Sequence, residues 1–101
     1  MEGMELLCFQ IISANGAAKS SYMEALQEAK KGNFEAAELL IKEGDEAALE
    51  GHKVHTELLT KEAQGEKTEF SLILMHAEDQ AMSTEVIRIL AVECIELYKN
   101  R

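Results

Sequence analysis

The stretch Leu72–Leu97 constrains this chain most, because it is apolar around more of its circumference than a single helical stripe requires. At roughly 100° per residue, Leu74, Glu78, Glu85, Arg88, Val92, Glu96 and Lys99 fall on one mostly charged strip, the natural solvent face. Two adjacent apolar seams fill the rest, at alternating three- and four-residue spacing. One seam is Leu72, Met75, Asp79, Met82, Val86 and Ile89; the other is Ile73, His76, Gln80, Ser83, Ile87, Leu90, Cys94 and Leu97. A small three-helix protein covers one such seam and struggles to cover both. A further partner for this helix is therefore expected.

Into those seams the sequence inserts an imidazole, a carboxylate and an amide: His76, Asp79 and Gln80. Offsets of three and four residues set Asp79 and Gln80 beside His76 on one turn. A lone carboxylate on a buried seam is costly or changes its protonation state. Two readings stand: a polar layer that fixes helix register, or a functional site.

The 101 residues suffice for one domain and one core, spanning 1–101. With no Pro, no Trp and a content dominated by helix formers, the chain reads as all-α. A net charge of −9 argues against nucleic acid, whose phosphates such a surface repels, and permits a basic protein partner. Cys8 and Cys94 fit neither a metal spacing nor a disulfide framework and read as small buried hydrophobes. Glu2 and Glu5 leave no basic region before Leu6–Ile12, so that stretch is not a signal peptide. No apolar run reaches the length of a membrane span, and the expected location is cytoplasmic.

Helix one is expected from about Met4 to Lys31, on apolar positions that include Leu6, Leu7, Phe9, Ile12, Tyr22, Leu26 and Ala29. Asn15-Gly16 marks either a kink or a close helix approach, since Gly weakens a helix interior. Lys30, Lys31 and Gly32 suit a helix C-terminus, and Asn33 suits the cap of the next helix. Helix two, about Asn33 to Gln64, carries the most regular seam: Phe34, Ala37, Ile41, Gly44, Ala48, Gly51, His55 and Leu58. Its small central residues predict a close neighbour. His52 and His55 have the spacing of a metal pair but lack an evident third ligand, and His55 could line a cleft instead. Gly65-Glu66-Lys67 ends helix two and Thr68 begins helix three. Short connections make this an up-down-up antiparallel three-helix bundle, and the doubly apolar third helix favours a symmetric homo-oligomer with that helix near the axis.

Two segments then resemble a known family. Lys31-Gly32-Asn33-Phe34-Glu35-Ala36-Ala37 and Leu74-Met75-His76-Ala77-Glu78-Asp79-Gln80-Ala81-Met82 resemble the lactose/cellobiose-type enzyme IIA component of the bacterial phosphoenolpyruvate-dependent sugar phosphotransferase system. The second is similar to that family's active-site motif, roughly His-Ala/Gly-Gln-Asp-His-Leu-Met, and Ile95-Glu96-Leu97-Tyr98-Lys99 is similar to its C-terminal ending.

The resemblance implies a homotrimer of three-helix protomers that accepts a phosphoryl group on His76 from the phosphocarrier protein HPr. It passes that group to a cysteine of the IIB component, with the membrane IIC component involved only indirectly and setting the sugar. Asp79 falls where the family places an aspartate at the trimer axis, able to bind a divalent cation, magnesium by preference, together with its copies. Two positions depart from the motif: Gln80 replaces a second histidine, and Glu78 replaces a glutamine. Gln80 keeps an amide that can position the phosphoryl group, and neither change removes the nucleophile.

The chemistry suits the residues. A neutral imidazole keeps a free ring nitrogen that can attack phosphorus in line, while the protein supplies position and charge. Apolar neighbours such as Met75 and Met82 would keep water away. Three copies of Asp79 near one axis would repel, so a hard cation or a shared proton is the natural neutraliser. A helical scaffold of tetratricopeptide type is the alternative, suggested by Gly32–Ala48 but lacking the repeat period. A metal-storing bundle lacks the Glu-x-x-His pairs it needs.

Overall fold

A computed structural model describes residues 3–101. Met1 and Glu2, part of the N-terminal stretch considered above for a signal, lie outside the described residues. Three helices run in order, α1 Gly3–Lys30, α2 Phe34–Ala63 and α3 Leu72–Lys99, and the described residues contain no strand. They form the expected up-down-up bundle, 51 Å long and 24 × 19 Å across.

The turns follow from local chemistry. Gly32 takes φ 84°, a left-handed conformation that only glycine adopts cheaply. The Asn33 amide then reaches back to the Glu28 carbonyl at 2.9 Å, which ends α1 in a Schellman-type closure. Gly65, at φ 92°, repeats the device, with the Glu66 amide on the Lys61 carbonyl at 3.0 Å. Two expectations at helix starts fail. Asn33 makes no side-chain capping bond, its side chain lying instead near Glu28 at 3.5 Å. Helix three begins at Leu72 rather than Thr68, because Ser71 is extended and its hydroxyl oxygen accepts the Leu74 amide at 3.2 Å.

The core is organised by α1. Its buried residues are Cys8, Ile11, Asn15, Ala18, Tyr22, Ala25 and Ala29, a seven-residue repeat of threes and fours. Of the apolar positions expected to bury, Leu6 and Phe9 are exposed, and Leu7, Ile12 and Leu26 are only half-buried. Small and polar residues displace them because the row must accept helices on both flanks. Asn15 satisfies its own burial by donating to the Ile11 carbonyl at 2.8 Å.

Helix two presents the expected seam, burying Ala37, Gly44, Gly51 and Leu58. The close approach is real at Gly44 and Gly51. A Cβ on Gly44 would lie 2.5 Å from the Tyr22 ring, and one on Gly51 would lie 3.0 Å from the Asn15 amide nitrogen. Gly16 has no such role: nothing lies within 4 Å of a Cβ there, and α1 runs through it without interruption.

Helix three corrects the wheel. Its buried row is Ala77, Thr84, Ala91 and Ile95, and the strip of Glu78, Arg88 and Lys99 turns toward α2 instead of solvent. The first apolar seam, Leu72 through Ile89, is wholly exposed in the protomer. The second is half-buried apart from exposed His76, Leu90 and Leu97.

The two kinds of glycine should separate cleanly in denaturant titrations. Gly16→Ala should stabilise the protomer by up to about 1 kcal/mol through helix propensity. Gly44→Ala should be destabilising on balance, because driving a methyl into a buried ring costs about 1–3 kcal/mol.

Candidate functional site

Residues His76–Gln80 are placed by the Ser71 cap and the first two turns of α3. Ala77 faces the core, fully buried, and fixes the rotation of this turn. His76 and Asp79 consequently stand exposed, whereas Gln80 is half-buried on the side of α1. The three do not form one hydrogen-bonded cluster. Gln80 is engaged from another helix: the Lys19 ammonium of α1 donates to its side-chain oxygen.

Asp79 sits within the exposed apolar face. Along the exposed side of α3 Leu72, Met82 and Leu97 are 81%, 63% and 70% exposed. A contiguous apolar face of this kind marks an association surface, and Asp79 and Glu93 are its main charged interruptions.

The opposite flank of the turn faces α2. Glu78, expected on the solvent face, pairs with His55, Oε1 to Nδ1 at 2.7 Å. Two further pairs join these helices, Arg88 to Asp45 at 2.6 and 3.0 Å and Lys99 to Glu38 at 3.0 Å. Helices α2 and α3 otherwise meet only lightly, since each packs mainly on α1. The gap between them is a cleft of about 370 Å³ lined by His52, His55, Glu78, Glu85, Asp45 and Arg88, with Tyr22 and Asn15 among its walls. His55 thus lines a cleft, as one of its two readings held. Among the described residues no three His, Cys, Asp or Glu side chains gather in a way that could hold a metal, so His52 and His55 find no third ligand within the protomer.

Charge on this flank is tightly partnered. Two hydrogen bonds from Arg88, with a third from the Tyr22 hydroxyl at 2.6 Å, hold the Asp45 carboxyl below its usual range against the opposing effect of burial. Burial first, then the neighbouring Asp45, pushes the Tyr22 phenol upward. Burial likewise raises the Cys8 thiol, in keeping with its reading as an inert core residue.

Residues 6–99 match the family described as the lactose/cellobiose-specific IIA subunit of the PTS system. The chain belongs to that family. The lactose-specific EIIA component of Staphylococcus aureus is 40% identical over 99 residues, covering 98% of this chain and 96% of that protein. Among solved structures, the cellobiose-specific enzyme IIA of Bacillus anthracis superposes with a TM-score of 0.96 at 44% identity, covering 99% of this chain and 92% of the other. The IIA(chitobiose) of an IIA–HPr complex does so with a TM-score of 0.87 at 33% identity, covering 99% and 97%. The chain is therefore a sugar-specific IIA component of the phosphotransferase system, with a transferase role, and the scaffold reading is set aside.

Sequence reasoning missed two partners of the candidate turn, His55 for Glu78 and Lys19 for Gln80. A signal for Lys19 existed: it is the only Lys or Arg before Lys30.

The Asp45 node should shape acid stability. A folded carboxyl held below its unfolded value, near about 4, adds stability that is complete above that value and lost as pH falls through the lowered one. Asp45→Asn should therefore flatten the acid limb of the stability curve between roughly pH 5 and 2, read from urea midpoints at each pH.

Proposed function

We propose that this IIA component carries its phosphoryl group on His76, accepting it from the phosphocarrier protein HPr and donating it to a cysteine of the IIB component. The observation that carries the reading is the placement of His76: an exposed imidazole, on a turn rigidly oriented by buried Ala77, at the edge of an apolar face. Exposure lets a donor protein reach the ring nitrogen. A turn oriented by buried Ala77 would hold the imidazole for the in-line geometry on which phosphoryl transfer depends. The similarity to an IIA chain solved with HPr supports that protein as the donor. Among the described residues no helix is long and apolar enough to cross a membrane. The IIA component would work at the cytoplasmic side and reach IIC only through IIB. The sugar would then be set by IIC.

The exposed face of α3 supports a homotrimer with this helix near the axis. Burying Leu72, Met75, Met82, Val86 and Ile89 among three copies removes apolar surface that one protomer cannot cover. It would also bring three Asp79 carboxylates together. One carboxylate per protomer is too few for a cation site, but three converging on an axis, completed by water, would suit a hard divalent cation such as magnesium. Such an ion would neutralise the axial charge.

Intact-mass analysis after incubation with phosphoenolpyruvate, enzyme I and HPr tests the first reading. Wild type should gain one phosphoryl group and His76→Ala none, and a His76→Ala protein that still gains it would place the site elsewhere. For assembly, Asp79→Leu should leave the trimer intact or strengthen it, since it replaces converging charges by apolar groups. Sedimentation velocity showing monomers for that variant would contradict the axial placement.

A further inference from the structure

Resting on His76 as the acceptor, we propose that Lys19 of α1, held in place by Gln80, is the cation that stabilises the phosphoryl group at this site. The transferring group carries negative charge on its equatorial oxygens and needs positive charge nearby. The local sequence supplies the opposite. Between Lys67 and Arg88 there is no Lys or Arg, while Glu69, Glu78, Asp79 and Glu85 are all acidic. Any cation must come from another helix, and Glu78 is already committed to His55.

Lys19 meets this need by position. Its ammonium reaches across from α1 to the side-chain oxygen of Gln80. Gln80 is one turn on from His76, a separation at which helical side chains are neighbours, about 5–6 Å between Cβ atoms. Lys19 is half-buried, and its ammonium is held by the Gln80 side-chain oxygen. The same contact sets the amide. With the oxygen taken by Lys19, the amide nitrogen of Gln80 is left to donate, so an ammonium and an amide N–H belong to a residue pair one helical turn from His76. A histidine at this position, as in the family motif, would not anchor an ammonium through a carbonyl oxygen; the glutamine does.

In the step itself, a His76 ring nitrogen forms its bond to phosphorus as the bond from phosphorus to the donor atom breaks. The electron pair of that bond returns to the donor, and the proton on the other His76 nitrogen stays in place. Lys19 keeps its protons throughout and contributes charge alone, so Gln80 is a positioning residue and Lys19 the group that meets the phosphoryl oxygens.

The test uses two donors, HPr with its phosphorylating system and the small molecule phosphoramidate, on wild type, Lys19→Met, Lys19→Arg and Gln80→Leu. Lys19→Met should slow acceptance from both donors by about tenfold or more and shorten the lifetime of the phosphohistidine, and Lys19→Arg should restore both. Gln80→Leu, which leaves the ammonium but removes its tether, should shift both in the same direction by less, and it carries the test if Lys19→Met fails to fold by circular dichroism. Wild-type acceptance and lifetime in the variants would overturn the proposal. So would a loss confined to HPr, which would make Lys19 a docking residue. Phosphoryl uptake by His76→Ala would instead refute the acceptor itself, whatever the Lys19 variants do.

Discussion

The contact on which the bundle depends lies at mid-height, where Tyr22 of α1 meets α2 and α3 at once. Its ring lies against Gly44, so close that no other residue fits there, and its hydroxyl donates to Asp45 at 2.6 Å. Asp45 in turn receives two hydrogen bonds from Arg88 of α3. A bidentate guanidinium–carboxylate pair is directional, so this node sets how α3 is rotated about its own axis as well as holding it. That rotation decides which residues of α3 face outward.

The consequence appears two and three turns away. With Arg88 turned to α2 and Ala77, Thr84 and Ala91 turned to α1, the candidate turn is presented with Glu78 toward His55, Gln80 toward Lys19, and His76 exposed. The turn is braced from two helices while the His76 imidazole remains accessible. The same rotation leaves the first apolar seam uncovered on the helix that carries His76. The two departures from the family motif both fall on bracing positions, each with a partner on another helix.

Much of the fold was legible in the sequence. Helix ends at Gly32 and Gly65 followed from glycine's left-handed freedom, and the Gly44/Gly51 seam announced a close neighbour before one was seen. The His76-Ala77-Glu78-Asp79-Gln80 turn stood out because polar groups are costly on apolar seams. What failed was the assignment of faces. A wheel ranks residues by hydropathy, and Glu78, Arg88 and Lys99 score as solvated although each pairs across a helix interface. Ala77, Thr84 and Ala91 carry little hydropathy signal although they form the buried row.

The sequence by itself determined three helices, their order and their turns, because those depend on local propensity, glycine conformations and periodicity within a few residues. It also determined that the third helix bears more apolar surface than one protomer hides. Only the tertiary structure decided which of its two seams is left outside and which cation reaches Gln80. Both depend on pairings between residues far apart in the chain, Asp45 with Arg88 and Lys19 with Gln80. Geometry across helices, which no local pattern encodes, selects those partners.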